Sequence, residues 1–176
     1  DKDTSGLILI AKNKYAAQQL ERQRANHTLS RVYLALTEGH WTDQPRSGLI
    51  DRPIEKVPEC FNRYQVADTR RPSRTEYEVL SEFTYEETPF SLVRLKLQTG
   101  RTHQIRVHMA SLSHPLLGDS IYGHEGFLGF DRAALHSFEI TCQLPGHQDL
   151  AVFSSEMPED FQKMIAKSIN FSSTLI

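Results

Sequence analysis

The sequence has few of the features that mark membrane, secreted or metal-cluster proteins. It contains no run of about 18 apolar residues, so no membrane span is predicted. No secretory signal opens the chain. The 2 cysteines, Cys60 and Cys142, fit neither a metal-ligand spacing nor a disulfide framework. Together these absences predict a protein of the reducing cytoplasm.

Net charge is also nearly absent. The 176 residues include 20 Lys and Arg against 22 Asp and Glu, and this balance argues weakly against nucleic-acid binding. The basic residues are clustered, however, in two segments of the chain. They are Lys12, Lys14, Arg22, Arg24 and Arg31 in the first segment, and Arg63, Arg70, Arg71 and Arg74 in the second. Such clusters are either solvated surfaces or faces that bind the phosphates of a polyanion.

Hydrophobic periodicity predicts strand pairs mixed with helices in one α+β domain. Strands are predicted at residues 6–10, 31–37, 75–80, 93–97, 134–141 and 150–154, and helices at 13–27 and 158–167. The continuous apolar run at 6–10 predicts a strand buried on both faces. Residues 41–74 are rich in Pro, Asp and Arg and are expected to have little regular structure. An acidic loop containing Glu86 and Glu87 is expected to close a hairpin.

The segment from Gly100 to Gly123 is the most informative part of the chain. It holds two Arg, three His and a Gln, followed by a tail rich in Pro and Gly. A core helix has no use for so many polar groups, whereas a site that handles a polyanion does. Residues 104–109 alternate like a strand, but Ile105, Met109 and Leu112 also fall at helical spacing. We favour a helix, with Thr102 as its N-cap.

Four short motifs, in order along the chain, resemble the RluA-type RNA pseudouridine synthase family. Asp1-Lys-Asp-Thr-Ser-Gly-Leu7 is similar to the end of that family's His-Arg-Leu-Asp-x-x-Thr-Ser-Gly signature. Arg31-Val-Tyr-Leu-Ala-Leu36 with Gly39 resembles its basic-x-Tyr strand. The third match runs from Gly100-Arg-Thr-His-Gln-Ile-Arg106 through His114-Pro-Leu-Leu-Gly-Asp119 to Tyr122-Gly123, and the fourth is Leu135-His-Ser137.

The resemblance implies a pseudouridine synthase catalytic fold with a mixed, mostly antiparallel central sheet and flanking helices. It implies an enzyme that flips a uridine of rRNA or tRNA out of its stack and isomerises it to pseudouridine. The bond from ribose C1′ to uracil N1 breaks, and the base rejoins through C5. No redox change occurs, so neither a cofactor nor a metal is expected. The family's His-Arg-Leu is absent before Asp1, so residues 1–176 are expected to form a monomeric catalytic domain lacking its N-terminal portion.

The resemblance also implies roles for individual residues. Asp1 aligns with the catalytic carboxylate, which attacks the sugar, attacks the base or removes a ribose proton. Arg106 aligns with the arginine that pairs with this carboxylate, Tyr33 with the tyrosine against the uracil, and Leu135 with a pocket-lining residue. The supporting residues are Arg101, His103 and Gln104. His103 and His108 are five apart, which is not the i, i+4 spacing of a zinc helix.

Simpler interpretations of the same residues remain open. Asp1 is also an ordinary terminal acid, Arg106 a surface arginine, and Tyr33 a tyrosine packed at the edge of a strand. Two other functions are compatible with the sequence. One is a non-catalytic RNA-binding domain or an inactive remnant of the same fold. The other is a different carboxylate enzyme such as a glycosidase, although no second acid lies in a comparable motif.

Overall fold

The computed structural model describes residues 1–69 and 71–174. A central seven-stranded sheet has the order β1-β8-β2-β7-β6-β3, and β9 also pairs with β8; β4 and β5 form a separate two-stranded sheet. The strands are β1 (Ser5–Gly6), β2 (Ser30–Glu38), β3 (Ser47–Asp51), β4 (Ile54–Lys56), β5 (Tyr64–Val66), β6 (Arg74–Tyr85), β7 (Thr88–Leu97), β8 (Leu135–Gln143) and β9 (Leu150–Ser154), and the helices are α1 (Lys14–Ala25), α2 (Gln104–Ser111) and α3 (Glu159–Thr174). Only the β1–β8 pairing in the described sheets is parallel.

The two faces of the sheet carry separate apolar cores. One core packs Ala35 of β2 with Ile105 and Met109 of α2. The other packs Leu36 of β2 with Phe161 of α3. Successive strand residues point to opposite faces, so β2 supplies both cores. Tyr33 packs at the edge of the α2 core, on the face opposite Leu34 and Leu36, as the alternation predicts.

Most predicted elements are confirmed. Asn13 caps α1, because its side-chain oxygen accepts a 2.8 Å hydrogen bond from the backbone N–H of Ala16. β6 and β7 form the expected hairpin, with Glu86 and Glu87 in the left-handed conformation at the turn. The ambiguous segment after Gly100 is a helix. None of the described helices is long and apolar enough to cross a bilayer.

The predicted strand at residues 6–10 is wrong beyond Gly6. β1 pairs with β8 only at His136 and Ser137, and Leu7 adds one backbone hydrogen bond to Ser137. Beyond that point β9 pairs with β8 from Glu139 onward. Because β9 takes the next part of this edge, the apolar run leaves the sheet, and Ile8 is 81% exposed.

Two further expectations are corrected. The segment at 41–74 contains β3, β4 and β5, because β3 adds to the edge of β6 with Ser47 opposite Glu78. Thr102 does not cap α2. The N-cap residue is His103 in the left-handed conformation, and it makes no side-chain capping bond. The Gln104 side chain instead accepts a hydrogen bond from the Arg101 N–H at 3.0 Å, which fixes the chain entering the helix.

Candidate active site

Three adjacent strands bring the predicted carboxylate, tyrosine and leucine together. β1 runs beside β8 with Ser5 opposite His136, so Asp1 lies at the end of β8 where Leu135 begins the strand. β2 flanks β8 on its other side and places Tyr33 opposite Ser137. Asp1, Tyr33 and Leu135 therefore line one cavity of about 210 Å³, although they are far apart in sequence.

Local distortions adjust this corner of the sheet. The β2–β8 register shifts between Val32 and Tyr33, and such bulges re-aim side chains beside functional sites. At β1, Gly6 has φ +92°, and a Cβ on it would lie 2.3 Å from the carbonyl oxygen of Ser137. Only glycine fits this close approach. Arg132 adds a hydrogen bond of 3.3 Å to the carbonyl of Asp3, which secures the segment that carries Asp1.

The cavity is lined by basic and apolar side chains beside the carboxylate. Its lining residues are Asp1, Thr4, Arg31, Tyr33, Leu97, Gly100, Arg101, Gln104, Ile105 and Leu135. Gln104 is 2% exposed and ties the 99–101 loop to β6 through hydrogen bonds to Thr99, Arg101, Arg74 and Thr75. Of the two other supporting residues, Arg101 is exposed at the rim, whereas His103 is not a lining residue. Arg70 lies outside the described residues.

Arg31 was not predicted as a site residue, although it belongs to the basic-x-Tyr motif. Its guanidinium packs against Gly100, where a Cβ would lie 3.0 Å from Nη1. Nη2 donates to the Thr99 carbonyl at 3.3 Å, and the buried Nε has no hydrogen-bond partner in the described part of the chain. An unpaired buried donor is costly, because it has given up its hydrogen bonds to water.

The ion pair expected between Arg106 and Asp1 does not form in this structure. Arg106 instead pairs with Asp119, with Nε donating at 2.7 Å and Nη2 at 2.6 Å. Both side chains are buried, and such two-pronged contact fixes the orientation of both groups. Asp119 belongs to the third motif, in the Gly-Asp that ends His114–Asp119. The motif alone does not reveal that this residue contacts Arg106.

Asp1 has a different neighbour. Its side chain is 19% exposed, and its Oδ1 lies 3.9 Å from Nε2 of His103. Among the described residues, His103 is the only basic side chain within 4.0 Å of this carboxylate. Burial, with a smaller contribution from Arg106, lowers the pKa of His103 to about 4, so the imidazole is neutral at pH 7. Asp1 thus faces a neutral ring and not a guanidinium.

The remaining histidine of α2 is structural. His108 is fully buried, and its two ring nitrogens lie 2.9 Å from the Thr75 hydroxyl and 2.8 Å from the Arg52 carbonyl. Burial lowers its pKa as well. Within the described ranges, no three His, Cys, Asp or Glu side chains converge in a way that could hold a metal ion.

The match to known sequences agrees with the motifs. The model of the RNA pseudouridylate synthase family matches residues 1–111, and the chain belongs to this family. It is 36% identical over 173 residues to ribosomal large subunit pseudouridine synthase D of Nitrosomonas europaea, covering 94% of this chain and 48% of that protein. It is 38% identical over 164 residues to the uncharacterized RNA pseudouridine synthase YhcT of Bacillus subtilis, covering 93% and 53%. The chain therefore spans about half the length of these relatives.

A solved structure supports the same assignment. Human RNA pseudouridylate synthase domain containing 1 superposes with a TM-score of 0.72 and 31% identity, over 89% of this chain and 66% of that chain. The predicted α+β fold with a mostly antiparallel sheet is confirmed, as is the family resemblance on which it rested.

Proposed function

We propose that this chain forms the catalytic domain of an RNA pseudouridine synthase, which isomerises uridine to pseudouridine. The observation that carries the proposal is the meeting of Asp1, Tyr33 and Leu135 in one cavity. The family assignment supplies the reaction class. A relative named for the ribosomal large subunit favours ribosomal RNA as the substrate, with tRNA as the alternative, and thereby favours the cytoplasm as the place of action.

Asp1 is the proposed catalytic carboxylate. The isomerisation needs a group that attacks the sugar or the base, or that takes a ribose proton, and an ionised carboxylate can perform each of these steps. In the described part of the chain no side chain donates a hydrogen bond of 3.5 Å or less to the Asp1 carboxylate. Its oxygens are therefore available to the substrate.

Tyr33 and Leu135 are the proposed contacts of the flipped base. A uridine removed from its stack loses its neighbours, and an aromatic ring and an apolar wall replace part of that interaction. Leu135 is 3% exposed and Tyr33 is half-buried, so both contribute rigid surfaces. Arg31 and Arg101 lie on the same cavity and supply positive charge for the phosphates beside the target.

The test is release of tritium from RNA labelled at uracil C5, with purified wild-type protein and its Asp1→Asn variant. We expect Asp1→Asn to lower kcat at least about a thousandfold, the scale of losing a nucleophile or general base. Asp3→Asn is the matched control, because it removes a carboxylate two residues away that does not line the cavity, and it should keep wild-type turnover.

The alternative, an RNA-binding domain without catalysis, predicts a different result. RNA would bind with salt-dependent affinity, yet no tritium would be released by the wild-type protein under any condition. Equal turnover in wild-type and Asp1→Asn proteins would instead remove Asp1 from the mechanism.

A further inference from the structure

His103 occupies an unusual position behind the cavity. It is a non-glycine residue at φ 56°, a conformation that costs on the order of 1 kcal/mol and persists where the surroundings enforce it. The side chain is 6% exposed, and the rings of Tyr64 and Tyr122 both lie edge-on to it at 5.6 Å. Two tyrosine rings thus restrict the imidazole, while its Nε2 lies toward Asp1.

The hydrogen bonds of Tyr122 decide which nitrogen of His103 carries the proton. The Tyr122 oxygen accepts from the backbone N–H of Tyr64 at 2.9 Å, and it lies 2.9 Å from Nδ1 of His103. Burial raises the pKa of the Tyr122 phenol, so the phenol keeps its proton. Among the described residues, Nδ1 of His103 is the only acceptor within hydrogen-bonding distance of that hydroxyl. A neutral imidazole that accepts at Nδ1 carries its own proton at Nε2.

Tyr122 is itself held firmly. Asp119 accepts hydrogen bonds from the backbone N–H groups of Ile121 and Tyr122 at 3.0 and 3.1 Å. Arg106 binds the same carboxylate, and its guanidinium carbon lies 5.1 Å from the centre of the Tyr122 ring. The Arg106–Asp119 pair therefore holds Tyr122 in place, and Tyr122 in turn holds His103.

We propose that His103 is a positioning residue for Asp1, held by Tyr122 as the neutral Nε2–H tautomer so that it offers the carboxylate a hydrogen bond without a positive charge. This inference rests on the proposed role of Asp1. An N–H donated to one oxygen of the carboxylate fixes the direction of the other oxygen.

The separation of 3.9 Å between Nε2 and Oδ1 is longer than a hydrogen bond. Contacts in active sites are often long before substrate binds and shorten in the complex. Uridine entering the cavity would restrict the Asp1 side chain and bring its oxygen onto the Nε2–H.

The tautomer is measurable directly, without activity. Long-range ¹⁵N–¹H NMR of protein labelled at histidine distinguishes a protonated ring nitrogen from an unprotonated one. We expect His103 in wild type to be protonated at Nε2 alone at neutral pH, and the Nε2 signal to move in Asp1→Asn. Tyr122→Phe should bring Nδ1–H into the population, whereas Tyr64→Phe, which keeps the ring and the backbone donor, should not. A wild-type ring protonated at Nδ1, or an Nε2 signal unaffected by Asp1→Asn, would overturn the proposal.

Activity then separates positioning from mere structural support. His103→Gln and His103→Met have side chains of similar size and the same backbone strain, but only Gln offers an N–H near the Nε2 position. We expect His103→Met to lower kcat about a hundredfold and His103→Gln about tenfold or less, with KM and melting temperature alike in both, since a hydrogen bond to a charged group is worth this range. Equal losses in the two variants would make His103 structural only. Wild-type protein with the Nε2–H tautomer but no tritium release would refute the proposed function and not the tautomer.

Discussion

Asp1 and Asp119 are two carboxylates that the fold treats in opposite ways. Asp119 is fully buried and receives two hydrogen bonds from Arg106 and two from backbone N–H groups. Asp1 is partly exposed, and its closest basic neighbour is a neutral histidine at 3.9 Å. The protein fills the acceptor capacity of Asp119, whereas no side chain in the described ranges donates a hydrogen bond of 3.5 Å or less to the carboxylate of Asp1.

This difference separates a structural acid from the acid that we propose to be reactive. A buried carboxylate with four donors is stabilised in a single place and cannot take on another partner without losing one. A carboxylate in a cavity with few donors contributes little to stability and is available for chemistry. Substitution of Asp119 should therefore act mainly on stability, whereas substitution of Asp1 should act on activity alone.

The largest expected effect on stability is that of Asp119→Asn. The variant leaves the guanidinium of Arg106 buried with no opposing charge, and breaking a buried pair on one side costs about 3–5 kcal/mol. We expect the free energy of unfolding, measured by urea denaturation, to fall by this amount. Asp1→Asn in the same assay should change it by less than about 0.5 kcal/mol. Similar losses in both variants would contradict the assignment of different roles.

A smaller effect on stability is expected from Gly6→Ala, which tests how Asp1 is held. The new Cβ would meet the Ser137 carbonyl at 2.3 Å, so β1 must shift from β8 and carry Asp1 with it. We expect kcat for tritium release to fall about a hundredfold, because a displacement of about 1 Å has this cost, with a stability loss of about 1–3 kcal/mol.

Gly146→Ala is the control for this experiment. Gly146 also has a positive φ, of 84°, but a Cβ there meets nothing within 4 Å. It should therefore lose stability from backbone strain alone and keep full turnover. If Gly6→Ala is as active as Gly146→Ala, the contact of β1 with β8 is not what places the carboxylate.

The sequence allowed the Tyr33 side of the site to be predicted more fully than the Arg106 side. In β2 the aliphatic residues Leu34 and Leu36 alternate with Tyr33. Because side chains of a strand alternate between its two faces, Tyr33 must lie on the face opposite these leucines. Alternation along a strand gives no information about which carboxylate pairs with Arg106. Asp119 follows a tight turn at Gly118, where a Cβ would lie 2.5 Å from the carbonyls of Phe130 and Arg132, and that contact depends on chain packing far from the motif.

The apolar run at residues 6–10 failed as a prediction for a related reason. An apolar segment of this length indicates a buried strand only if a sheet edge is free to receive it. Here the edge of β8 is shared, since β1 takes two positions and β9 takes the stretch from Glu139 onward. Competition between two segments for one edge is a property of the whole fold, and no local pattern records it.

The smallest expected effect concerns RNA affinity and Arg31, which lines the cavity. If Arg31 binds a phosphate beside the target uridine, Arg31→Gln should reduce the slope of log affinity against log salt concentration by about one. Arg94→Gln is the matched control, because Arg94 is a partly exposed strand arginine that does not line the cavity, and its slope should stay that of wild type. Fluorescence anisotropy with a labelled RNA at several salt concentrations measures both. An unchanged slope in Arg31→Gln would mean that the guanidinium supports the 99–101 loop, as Asp119 supports Arg106, and does not bind the RNA backbone.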